Sequence, residues 1–160
     1  MCTLASLTSY MNKEYFNCSF VFSEELTSIH DIPVFVFTEN GSDDDFYSFL
    51  VSNGSACASM NVRKEGSEHI CITSSLLEID RSTFLGVLAH EAGHFKCGHL
   101  KKEYDAYVND INFDSSRFEF EADEYSFHCG YGEALLKYLN MQNNNLLSDR
   151  ITALEGLLGK

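Results

Sequence analysis

Apolar positions change their rhythm along this chain, from short strand-like runs to helical spacing. Pro33-Val34-Phe35-Val36-Phe37 is β-branched and aromatic and apolar on both sides, which predicts a strand covered on two faces. Ser19-Phe20-Val21-Phe22 predicts a shorter strand. Residues 56–63 and 68–73 read as two strands joined near Glu65-Gly66 in a hairpin. Leu4, Leu7, Met11 and Tyr15 fall on one face of a short first helix, and Asn40 to Asp45 reads as a polar loop. From Ser82 onward the period is helical. Ser82 is the expected N-cap of a helix that Phe84, Leu85, Val87, Leu88 and Ala89 bury on more than one side, and Gly98 is its expected stop. A helix over 99–108 follows, then a polar break at 109–114. Ser115 or Ser116 caps the next helix, which runs to about Cys129 before Gly130. Two more helices are expected, over 133–141 and, after a Ser148 cap, over 149–158.

Strands first and helices afterwards is the α+β pattern: a small N-terminal, mainly antiparallel sheet followed by a helical half. No Pro/Gly/Ser-rich linker divides the 160 residues, so residues 1–160 are expected to form a single domain.

Charge narrows the partners. With 24 acidic against 11 Lys and Arg residues, the formal net charge is -13, which opposes binding to nucleic acid and to anionic membranes. No apolar run approaches a bilayer span, and the Met1–Ser6 start has no basic segment leading into an apolar one, so neither a membrane span nor a leader is expected. Cys2, Cys18, Cys57, Cys71, Cys97 and Cys129 form no C-x-x-C pair. They are expected to be free thiols of a cytoplasmic protein rather than a disulfide framework. Asp43-Asp44-Asp45 lacks the alternate spacing of a calcium loop and reads as a solvated turn.

The chemistry lies in His90-Glu91-Ala92-Gly93-His94. On a helix, residues four apart project from one face, so both imidazoles can share one tetrahedral zinc ion. Glu91 sits beside that face, where it can take a proton from a bound water. Glu119 and Asp123 repeat the four-residue spacing on another expected helix. They suit a division of labour in which Glu119 is the third ligand and Asp123 accepts the free N–H of His90. Glu121 points elsewhere on a regular helix and is the weaker ligand candidate. His99 is expected to pack or cap, His30 and His69 carry no signal, and the spacing of His128 from Glu119 makes it a further imidazole that could approach the site.

His90-Glu91-Ala92-Gly93-His94-Phe95-Lys96-Cys97-Gly98-His99, followed by Glu119-x-x-Ala122-Asp123, resembles the gluzincin metallopeptidases of the HtpX and CAAX-prenyl-protease type. The similarity extends upstream to Asn53–Ala58 and Ile70–Leu77 and downstream to Arg150-Ile151-Thr152-Ala153-Leu154. It is nearest to the soluble single-domain members called minigluzincins, since no hydrophobic segments flank the core. The resemblance implies a zincin-like fold and one zinc ion held by His90, His94 and Glu119. It implies Glu91 as general base, Asp123 behind the ligands, and peptides or unfolded proteins as substrates. It also implies that Ala56, Cys57 and Ala58 lie on the strand where substrate adds, so that the Cys57 thiol could reach the metal and hold the enzyme latent. Where the family often carries a His-Pro pair, this chain has Asn144-Asn145. Asn144 would then offer an amide to the transition state, with Tyr131, Tyr125 or Arg150 as other donors.

Two further functions fit the same residues. One is a non-catalytic, zinc-supported module that binds a protein partner. The other is a regulatory metallopeptidase with one dedicated protein substrate.

Overall fold

The computed structural model describes residues 18–20, 32, 34–37, 44–52, 54–60 and 67–160. Four strands, β1 (Cys18–Phe20), β2 (Val34–Phe37), β3 (Ala56–Ser59) and β4 (His69–Thr73), form one sheet in the order β1-β2-β4-β3. β1 runs antiparallel to β2 and β3 antiparallel to β4, while β2 and β4 are parallel, so the sheet is mixed. The helices are α1 (Asp44–Ser52), α2 (Arg81–Lys96), α3 (His99–Val108), α4 (Phe118–His128), α5 (Gly132–Met141) and α6 (Ser148–Leu158). Short 3-10 turns precede α2 and α6. The α+β expectation holds. The expected helix over 1–16, and residues 21, 22, 33 and 61–66 of the expected strands and hairpin turn, lie outside the described residues.

Alternation along the strands builds two cores. Val34, Val36, Ala56, Ile70 and Ile72 face one way and pack with Leu85, Val87, Leu88 and Tyr138. Phe35, Phe37, Cys57 and Cys71 face the other way, against Tyr47, Phe49 and Leu50 of α1. The β2 sequence is apolar throughout because helices cover both faces. α1 corrects the expected Asn40–Asp45 loop, since the helix begins at Asp44. A nine-residue helix gains its stability from packing, here from fully buried Leu50, and local spacing does not register that.

Three helix starts differ from expectation. Asp80, not Ser82, caps α2: its carboxylate accepts both the Thr83 N–H (3.1 Å) and the Thr83 hydroxyl (2.8 Å). Neither Ser115 nor Ser116 caps α4 with its side chain; Ser116 instead gives its N–H to Asp114. Ser148 is the first residue of α6, and the side-chain cap belongs to Asn144, one turn earlier. Gly98 ends α2 as expected, with φ of 68°.

α2 lies between one face of the sheet and the helices α4 and α5. Small residues set its closest approaches. A Cβ on Gly86 would stand 2.7 Å from the Leu135 backbone nitrogen of α5, and one on Gly93 would stand 3.0 Å from Ala122 Cα of α4. The Ser126 hydroxyl adds a hydrogen bond to the Gly86 carbonyl. A third cluster, Leu135, Leu136, Leu139 and Leu154 with Phe127 and Ile151, seats α6 against its neighbours. Among the described residues, no helix is long and apolar enough to cross a membrane.

Candidate metal centre

Two helices build the centre. On α2 the one-turn spacing of His90 and His94 brings their Nε2 atoms to 3.2 Å. The Gly93–Ala122 contact lets α4 approach, so that Glu119 faces both rings. Its Oε2 is 3.4 Å from His90 Nε2 and its Oε1 is 3.6 Å from His94 Nε2. These three residues can offer ligating atoms within 4.8 Å of one another, a set that could hold a metal ion. One turn after Glu119, Asp123 accepts a hydrogen bond from His90 Nδ1 at 2.7 Å. That bond holds a hydrogen on Nδ1, so Nε2 is the nitrogen that faces the cluster and the one a metal would take.

α6 closes the centre from behind. Arg150 gives two parallel hydrogen bonds to Asp123, Nε to Oδ2 at 2.8 Å and Nη2 to Oδ1 at 2.7 Å. Its Nη1 stands 2.7 Å from Glu119 Oε2. The guanidinium therefore orients two carboxylates, a holding role for a residue that the sequence pattern offers as a transition-state donor. Asn144 spends its side-chain oxygen on the Leu146 N–H. Tyr131 is half-buried at the start of α5 against the main core. The Tyr125 phenol bonds to the Cys129 thiol.

Charge follows this geometry. Burial opposes a proton on His90, but the Asp123 carboxylate and then Glu119 overcome it and raise its pKa to about 10. Burial and the neighbouring His90 lower His94 to about 3, so His94 is neutral. Burial also works against the Glu119 carboxylate, yet 46% of its side chain is exposed, and His90 and Arg150 pull its pKa well below the usual carboxylate range. Asp123 resists burial in the same way, held ionised by Arg150 and His90.

Glu91 is buried on α2 beside the cluster. Burial raises its pKa to about 7, opposed by His90 and reinforced by Glu119, while the Ala58 N–H donates to its carboxylate. Ala58 belongs to β3, the end strand of the sheet among the described residues. Ala56 on β3 faces the α2 side of the sheet. Cys57 does not: strand alternation turns its thiol to the α1 face, which corrects the expectation of a latency thiol reaching the metal. Cys57, Cys71, Cys97 and Cys129 are not joined in disulfides. His128 is also corrected. It is exposed and pairs with Glu124, 3.5 Å away on its own helix, because α4 runs away from the cluster.

Some neighbours have no clear signal in the chain. Buried Tyr138 donates to the Gly54 carbonyl just before β3. Burial and then the Glu91 charge raise its pKa to about 12, so it lies within electrostatic reach of that carboxylate. Its helical spacing reads only as core. His99 and Glu121 also join the network, behind His94.

No family model matches the chain, and the comparisons with curated proteins and with solved structures find no match.

Proposed function

We propose that this chain is a zinc-dependent endopeptidase of the gluzincin type resembling HtpX, acting on peptides or unfolded proteins. The observation that carries the reading is the convergence of His90, His94 and Glu119, with buried Glu91 beside them. Two imidazoles and one carboxylate are a donor set of catalytic zinc sites. A tetrahedral ion with bonds of about 2.0–2.1 Å has ligand–ligand edges of about 3.3 Å. The separations of 3.2, 3.4 and 3.6 Å match those edges.

Held by these three residues, zinc would polarise the scissile carbonyl and acidify the attacking water. Glu91 takes the proton of that water on its carboxylate and delivers it to the leaving amine. In the metal-free protein burial raises the Glu91 pKa to about 7, so the site favours a proton on this carboxylate. The Ala58 N–H keeps the Glu91 carboxylate in place. Substrate adds as an extended strand along β3, the end strand among the described residues. Asp123 and Arg150 hold the ligands and stay out of the proton transfer. Cys57, Cys71, Cys97 and Cys129, none of them in a disulfide, suit a reducing, cytoplasmic setting.

A metal-supported binding module has no need of a buried general base, so Glu91 favours the enzyme. The test is incubation of the zinc-loaded protein with unfolded casein beside Glu91→Gln, with fragments read by mass spectrometry. Cleavage by the wild type alone is expected. Cleavage by both would remove Glu91 as base. Zinc binding without cleavage by either would favour the binding module or a single dedicated substrate.

A further inference from the structure

His99 is 1% exposed and lies flat against Phe118, with ring centroids 4.0 Å apart and planes 6° from parallel. The left-handed turn at Gly98 ends α2 and starts α3 at His99, which brings this imidazole back behind His94. Its Nδ1 is 3.0 Å from His94 Nδ1, and its Nε2 is 3.0 Å from Glu121 Oε2.

Each of these contacts needs one donor and one acceptor, and a neutral imidazole offers one of each. The Glu121 carboxylate can only accept. His99 therefore carries its hydrogen on Nε2 and its lone pair on Nδ1. His94 must then donate from Nδ1, which leaves a lone pair on His94 Nε2. That atom is the one facing His90 and Glu119. The hydrogen bonds run in one direction, from His94 through His99 to Glu121.

We propose that His99 and Glu121 are positioning residues, a two-step relay that fixes the His94 tautomer and ring for metal binding as Asp123 does directly for His90. The inference rests on the reading of His90, His94 and Glu119 as a metal centre. It also decides a competing arrangement. Cys97, His99 and Glu121 offer a second set of ligating atoms within 4.8 Å. A metal there would take the lone pair of His99 Nε2 and move the hydrogen to Nδ1. The bond to His94 would reverse, and His94 Nε2 would lose its own lone pair. The two uses of His99 exclude each other, so these two triads hold one ion between them.

The test uses the full chain labelled with 15N-histidine. Imidazole tautomers are read by NMR in the zinc-loaded protein, and zinc affinity is read by chelator competition. The expected result is His94 as the Nδ1–H tautomer, His99 as the Nε2–H tautomer, and one zinc per chain. Glu121→Leu, at a partly exposed position, should weaken zinc about 10-fold or more. Glu121→Gln, which keeps an acceptor, should fall between the two, and Cys97→Ser should match the wild type. The melting temperatures of the metal-free proteins separate loss of affinity from loss of fold. His99 as the Nδ1–H tautomer, or Glu121→Leu binding zinc as tightly as the wild type, would overturn the relay alone. A second zinc lost on Cys97→Ser would overturn it in favour of the other triad. A wild type that takes up no zinc would overturn both the relay and the metal centre beneath it.

Discussion

Arg150 grips Asp123 through two hydrogen bonds, 2.8 and 2.7 Å long, across 27 residues of chain. The same guanidinium stands 2.7 Å from Glu119. The last helix is thus joined to the glutamate helix through the acids that face His90. Asp123 is 3% exposed, so its charge depends on these partners.

Arg150→Met should therefore destabilise the metal-free protein by about 3 kcal/mol, because a buried carboxylate loses its bidentate partner. Arg150→Lys should recover part of that loss, since an ammonium cannot form the paired geometry. Urea unfolding of the three proteins is the check. Equal midpoints for wild type and Arg150→Met would mean that the grip contributes nothing.

Gly93→Ala tests the approach of α2 and α4. The added Cβ would meet Ala122 Cα at 3.0 Å and Ala122 O at 3.1 Å, both backbone atoms that yield only if a helix shifts. Strain of about 1–3 kcal/mol is expected. It exceeds the helix-propensity gain of about 1 kcal/mol that alanine brings. A lower Tm together with weaker zinc binding is the expected pair of results. A higher Tm with unchanged affinity would show that the helices separate freely.

Glu91 gives the metal-free protein a pH dependence of known sign. Its pKa rises on folding to about 7 from an ordinary 4.5, so the unfolded chain loses this proton first as pH rises. Its burial as an acid is harmless below pH 4.5 and becomes increasingly unfavourable up to about pH 7. Relative to wild type, Glu91→Gln should gain on the order of 3 kcal/mol of stability across that interval. Denaturation of both proteins at several pH values tests it. A constant difference would refute the assigned burial cost.

Metal uptake should release a proton from His90. At pH 8, above the Glu91 value of about 7 and below the His90 value of about 10, His90 carries hydrogens on both nitrogens. The metal displaces the one on Nε2, and Asp123 keeps the one on Nδ1. His94 is already neutral and Glu119 already ionised. About one proton per zinc is therefore expected from calorimetry in buffers of different ionisation enthalpy. Zinc affinity should rise with pH until about 10. Uptake without proton release would contradict the charge state of His90.

Much of the site is legible in short-range spacing. His90 with His94, and Glu119 with Asp123, are each four residues apart, and helical geometry alone puts each pair on one face. The strand-first, helix-last order is legible for a similar reason, since alternating and helical periods are local properties. Legibility fails where a contact spans the chain. His99 meets Glu121 across 22 residues, and no spacing rule joins them. Arg150 stands out in the sequence as a cation near the C-terminus, but not as the partner of Asp123. The α1 helix is also invisible locally, because its stability comes from Leu50 packing on the second face of the sheet.

By itself, then, the sequence determined the strand-first order and the helices from α2 onward, the pairs His90 with His94 and Glu119 with Asp123 on shared helix faces, and the position of Glu91 beside them. Each follows from the period of one helix. Only the tertiary structure decided which face of β3 carries Cys57, what grips Asp123, and what holds His94 from behind. Those outcomes depend on how closely helices approach, and Gly93 against Ala122 sets that distance through the absence of one side-chain carbon.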